Sequence, residues 1–196
     1  MHFTRLSGAL FLLLFLNVAG CGRATYGGTT DVTGVMPSLD FSMIRANDGA
    51  PVTAANYRGK AVLLYFGYTH CPDECPTTLA NLAGTLKKLG PNADKVRVLF
   101  VTVDPERDSI TILKTYVRAF APEIDGLRGN PNVIAALARR YRVLYTVTAD
   151  SPGHPYSVMH SNSLFMFDRS GRARFATTST SDSAELARQI RQLLNA

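Results

Sequence analysis

Apolar positions along this chain fall into two alternating patterns. Near-continuous apolar runs at 61–66 and 96–103 predict strands buried on both faces. Between them Leu79, Leu82, Leu86 and Leu89 recur at three- and four-residue spacing, which predicts a helix from about Asp73 to Leu89, stopped by Gly90-Pro91. Residues 39–44 alternate, Asn47-Asp48-Gly49 is a turn signal, and Val52 with Thr53 can return as a partner strand. Further helices are expected over 109–120, with Asp108 as N-cap, and over 131–140, behind an Asn130 cap. A last one is expected over 183–194, with Leu186, Ile190 and Leu193 on one face. Short strands are expected at 127–129 and 142–148, and residues 163–167 and 172–177 read as a hairpin. Strands that alternate with helices and end in a hairpin predict an α/β fold with one mixed sheet.

Ahead of that domain the pattern changes. Arg5 precedes an apolar stretch at 9–16 that is too short to span a bilayer comfortably, and Val18-Ala19-Gly20 supply small residues before Cys21. Residues 1–20 read as a secretory signal whose end resembles a bacterial lipobox. That resemblance implies cleavage before Cys21 and lipid on its sulfur, with the domain anchored in the bacterial cell envelope. The competing reading is an uncleaved membrane anchor with a chance cysteine. Either places the domain in the periplasm or another extracytoplasmic, oxidising space. Residues 21–37 are rich in Gly and Thr and lack an apolar period, so they are expected to be a flexible tether, leaving 38–196 as the domain.

Composition narrows the function classes. With 46% hydrophobic and 18% charged residues the chain has the balance of an ordinary globular domain, not a disordered one. The net charge of +6 is scattered, and its densest pairs are only Lys87-Lys88 and Arg139-Arg140. Without a long basic run, nucleic acid is a poor partner; mild attraction to anionic lipid or an acidic protein is what remains.

The chemistry gathers at Gly67-Tyr68-Thr69-His70-Cys71-Pro72-Asp73-Glu74-Cys75-Pro76. Two cysteines lie where a buried strand gives way to a helix. At Cys-x-x-x-Cys spacing they share one helical face. The helix N-terminus carries partial positive charge and unsatisfied N–H groups, which favour thiolate. Thiolate serves disulfide exchange and soft-metal ligation alike. A structural disulfide across so small a loop would stabilise little. Reductants of the thioredoxin type normally have two residues between their cysteines. Here Pro72, Asp73 and Glu74 intervene, which shifts the second sulfur around the helix and favours a metal. In exchange chemistry Cys71 would attack and Cys75 resolve. Asp73 and Glu74 suit a helix's first turn on dipole grounds alone. No phosphate-binding glycine motif, serine-type nucleophile or four-ligand zinc set is visible.

With these residues and the distant Tyr156 … His160-Ser161 in view, the chain resembles the Sco/SenC family of membrane-anchored copper proteins, over about 39–194. Val101 to Asp108 is a second match. The resemblance implies a thioredoxin-like fold, with an N-terminal β-hairpin extension, and copper as Cu(I) or Cu(II) held by Cys71, Cys75 and His160. It also implies delivery of copper to the dinuclear CuA site of cytochrome c oxidase subunit II. Other copper chaperones or thiol reductants are implied partners. The rival function is a thiol–disulfide oxidoreductase that reduces the oxidase cysteines; peroxidase activity shares the fold but lacks motif support. The family histidine motif reads roughly Tyr-x-x-Asp-His-Ser, and Met159 stands here where the acid is usual. A thioether is itself a soft donor, although a residue beside a ligand usually points elsewhere. His70 adjoins Cys71 without being a family ligand, and His154 is expected to be solvated in its Pro/Gly loop. Tyr68 and Tyr156 are expected to pack near the site.

Overall fold

A computed structural model describes residues 25–26, 28–150, 152 and 156–196. Cys21, His154 and the expected signal segment lie outside the described residues. In chain order the strands and helices are β1 (Thr25–Tyr26), β2 (Thr29–Asp31), β3 (Ser42–Arg45), β4 (Pro51–Thr53) and β5 (Ala61–Gly67). There follow α1 (Glu74–Leu89), β6 (Val96–Thr102), α2 (Ile110–Arg118), β7 (Ile124–Arg128) and α3 (Pro131–Arg140). The chain ends with β8 (Tyr145–Thr148), β9 (Ser157–His160), β10 (Leu164–Phe167), β11 (Ala173–Thr177) and α4 (Ser183–Leu194).

Among the described residues nine strands form one mixed sheet, in the order β1-β2-β11-β10-β5-β6-β7-β3-β4. The expected thioredoxin-like fold, with its flanking helices and N-terminal β3–β4 hairpin, is the fold observed. β5, β6 and β7 are parallel and the remaining pairs antiparallel. Every residue of β5 is buried, as expected of a central strand covered on both faces. Tyr65 and Phe100 lie side by side on one face, where Phe100 meets Tyr116 of α2. Phe165 and Phe167 meet Tyr141, at the end of α3, on the other. The C-terminal edge of β5 is where the cysteine motif leaves the sheet.

Three expectations change. The stretch expected to be a tether pairs with the sheet: Thr29, Thr30 and Asp31 lie opposite Thr177, Ala176 and Phe175 of β11. β-branched threonines suit a pleated edge, and buried Thr29 gives its hydroxyl to Gln189 Oε1 at 3.3 Å. The strand expected at 142–148 begins only at Tyr145, because Arg142 takes φ 56° and caps α3 in the left-handed region. That strand pairs with β9 alone, so β8 and β9 form a separate two-stranded arm. Finally, Ser109 rather than Asp108 caps α2, accepting the Ile112 amide. Asp108 is fully buried and has another task.

Candidate metal centre

The first two donors are set by the junction of β5 and α1. Gly67 ends β5, and a Cβ there would stand 2.8 Å from Cys75 Sγ and 2.7 Å from the Phe100 ring. Only glycine lets α1 seat its first turn this close to the sheet. Cys71 precedes α1 and is half-buried; Cys75, the second residue of α1, is fully buried. The Cys75 N–H donates to Cys71 Sγ at 3.4 Å, so the first sulfur occupies the anion-favouring end of the helix. Both thiols are free.

The third donor arrives on the arm. His160 ends β9, and its Nε2 lies 3.3 Å from Cys75 Sγ. Its Nδ1 lies 3.2 Å from the Ser161 carbonyl. A carbonyl can only accept, so Nδ1 carries the proton and Nε2 turns its lone pair to the sulfurs. Tyr65 and Tyr68 meet the imidazole edge-on, with ring centroids at 6.0 and 5.8 Å. The donor atoms of Cys71, Cys75 and His160 lie within 4.8 Å of one another. They adjoin a cleft of about 470 Å³ whose walls include Tyr68, Cys71, Glu74, Met159, His160 and Asn162.

Electrostatics revises one expectation. Burial pushes the Cys75 thiol up to about 12, although the Tyr68 backbone amide opposes the shift. Desolvation outweighs the helix terminus at this sulfur, and a metal binding there must displace a proton. Burial also lowers His160, against the Ser161 carbonyl and Glu74, which keeps the imidazole neutral and available as a ligand.

The supporting roles of Asp108 and Asn162 escaped the sequence reading, whereas Tyr68 packs at the site as expected. Buried Asp108 accepts from the Thr69 amide at 3.0 Å, the Thr69 hydroxyl at 2.6 Å and the Thr102 hydroxyl at 2.6 Å. It thereby ties the cysteine loop to β6. Asn162 donates to Glu74 Oε2 at 2.9 Å and accepts from Thr78 Oγ1 at 3.5 Å, which joins the His160 segment to α1. The Tyr68 hydroxyl donates to the Val158 carbonyl at 3.2 Å. A fold that brings the second motif beneath the first was the missing signal. His70 turns to Thr69 and Asp108 instead of the sulfurs, with Nδ1 3.6 Å from Asp108 Oδ1. Met159 is 71% exposed at the cleft rim. Tyr156 lies one layer out, bonded to Asp104.

Two thiols and one imidazole are soft to intermediate donors, and three ligands leave a coordination position free. Cu(I) fits that set, whereas a structural zinc site closes with four. Fold and donors together define a thioredoxin-like domain with a dithiol–imidazole cluster able to hold a metal ion. The chain belongs to the SCO1/SenC family, whose model matches residues 37–195. It is 43% identical over 146 residues to Protein SCO1 homolog 1, mitochondrial, of Arabidopsis thaliana, covering 74% of this chain and 40% of that protein. It is 32% identical over 168 residues to the SCO2-like protein of Rickettsia felis, covering 84% of this chain and 80% of that protein. The chain thus spans less than half the length of the plant relative and most of the bacterial one. Among solved structures, Arabidopsis thaliana ScoI with copper bound aligns at a TM-score of 0.69 with 38% identity, over 79% of this chain and 98% of that one. Yeast Sco1 with copper bound aligns at 0.72 with 32% identity, over 82% and 90%. Among the described residues no helix is long and apolar enough to cross a membrane.

Proposed function

We propose that this protein binds copper through Cys71, Cys75 and His160 and delivers it to the CuA site of cytochrome c oxidase subunit II. The observation that carries the reading is the meeting of three donors, from α1 and from the arm, beside an open cleft. Copper is the cargo here. On loading, each thiol gives up its proton and Nε2 offers a lone pair; on release the thiols are reprotonated. The free position lets a receiving ligand bind before the donor's own ligands let go. Both sulfurs must be reduced for this, so an oxidised pair would hold no copper through thiolate and redox state gates loading. Copper chaperones that fill the site and reductants that keep it open are the further partners. A lipid on Cys21 would hold the domain at the envelope membrane, facing the periplasm.

A second reading, thiol–disulfide exchange on the oxidase cysteines, is favoured by one observation. Cys71 lines the cleft while Cys75 sits fully buried behind it, the order of an attacking and a resolving sulfur. The two readings separate by mutation. Cu(I)-loaded protein is mixed with the soluble domain of subunit II, and the copper acquired by the separated domain is measured. His160→Ala should abolish transfer while leaving disulfide exchange intact. If oxidase assembly is indifferent to His160→Ala but lost with Cys71→Ser, copper delivery is the wrong reading.

A further inference from the structure

The arm that carries His160 has no place in the main sheet, and most of β8 is exposed. Besides Val158, which is buried against the core, the arm's attachment to the body falls on a few side chains. Tyr156, immediately before β9, donates its hydroxyl to Asp104 Oδ1 at 2.6 Å. Asp104 is fully buried and holds Arg107 Nε on its other oxygen. The guanidinium carbon of Arg107 then lies 4.2 Å from the Tyr156 ring centroid and 5.8 Å from that of Tyr68. Tyr68 in turn meets the His160 imidazole at 89° and grips the Val158 carbonyl. One connected stack runs from a buried carboxylate to the imidazole.

We propose that Asp104, Arg107 and Tyr156 form a latch that positions His160, and that opening the latch turns the three-donor centre into a two-cysteine one from which the cargo leaves. The proposal rests on His160 being a metal ligand. Two features make the contact reversible. Asp104 shares its oxygens between its own loop, through Arg107, and the arm, through Tyr156. When the arm lifts, the buried carboxylate keeps its cationic partner; Tyr156 gives up one phenol hydrogen bond and a ring–cation contact, and Tyr68 gives up its bond to the Val158 carbonyl. Beneath the arm lies a cavity of about 230 Å³, lined by Val103, Asp104, Ile134, Tyr145, Val147 and Tyr156. The outer strand of the arm thus lies over open space, with Val158 of the inner strand buried, unlike the close-packed seat of Cys75. All three are positioning residues: none of them reaches the sulfurs.

The test uses the full chain and two variants, Arg107→Gln and Tyr156→Phe, the second keeping the ring and removing only the hydroxyl. Hydrogen exchange of the metal-free protein is read at residues 157–160 and, as control, in β5 and α1. The latch predicts exchange about tenfold faster in the arm and unchanged in the control segments. Cu(I) affinity, measured by chelator competition, should fall about tenfold in each variant, as for lost supports of other metal ligands. On a His160→Ala background the same substitutions should leave the affinity unchanged, because the stack acts only through that imidazole. Equal losses on both backgrounds, or unchanged arm exchange in both variants, would overturn the latch. If the wild type takes up no copper, the metal-centre reading fails, while the exchange result still decides whether the stack holds the arm.

Discussion

The cysteine pair and the histidine reach the same point on opposite terms. Cys75 is packed against Gly67 and Phe100 at the end of a wholly buried strand, with its loop tied down by Asp108. His160 comes on a two-stranded arm outside the main sheet, its outer strand over a cavity, held by buried Val158, tyrosine hydroxyls, an arginine and Asn162. Close packing fixes position at high cost to any motion, whereas a few polar contacts fix it with little. The contrast assigns different work to the two halves. On the proposed reading the sulfurs are the permanent platform, and the imidazole is the donor that can be withdrawn.

The comparison breaks most visibly at Gly67. A Cβ there would overlap Cys75 Sγ and the Phe100 ring, both immobile, so Gly67→Val should destabilise the domain by about 3 kcal/mol. It should also pull Cys75 out of register; denaturant melts and thiol accessibility report the two effects. Asp108→Ala removes the acceptor of three hydrogen bonds and should cost about 2 kcal/mol, loosening Cys71 before it affects the arm. Chemical unfolding combined with segment-resolved hydrogen exchange checks both size and place.

Acid gives a milder test, confined to the body. Burial of Asp168 would raise its carboxyl, but hydrogen bonds from Ser170, the Arg172 amide, Arg174 and the Arg172 side chain overcome this and hold it below the usual range. A lowered folded value means the contribution is complete above the ordinary aspartate range and disappears as pH falls through that range and below it. Asp168→Asn should therefore flatten the acid limb of the stability curve while leaving arm exchange as it was. The smallest effect is expected at the rim. Met159 is 71% exposed, so Met159→Asp should change stability by less than about 0.5 kcal/mol. Placing an acid beside the cleft should shift preference toward Cu(II), which competition titrations with each oxidation state would register.

How legible this was depended on where the decisive forces act. α3 and α4 were readable to the residue, since Asn130 with Pro131 and an unbroken amphipathic repeat are local signals. The cysteine motif was equally local, and its position at a strand–helix junction followed from one apolar run. Asp108 was misread as a cap because Ser109 offers the same chemistry one residue later, and burial beneath Thr69 is a tertiary fact. The residues around Thr29 carry no apolar period, so only the exposed edge of β11 explains why they pair. Cys75 has the right helix position for a thiolate, but the depth that reverses it comes from Gly67 and the sheet. His160 could be named from its motif and a strand was expected at 142–148, yet the two-stranded arm was not, because β8 and β9 pair with each other rather than with the main sheet.

The central claim is a shared centre of two sulfurs and one imidazole. X-ray absorption on the reduced full-length protein loaded with one equivalent of Cu(I) tests it most directly. The account predicts a first shell of two sulfurs and one nitrogen that loses its nitrogen in His160→Ala and keeps its sulfurs. A shell of sulfur alone in the wild type, or one that His160→Ala leaves unchanged, would contradict it.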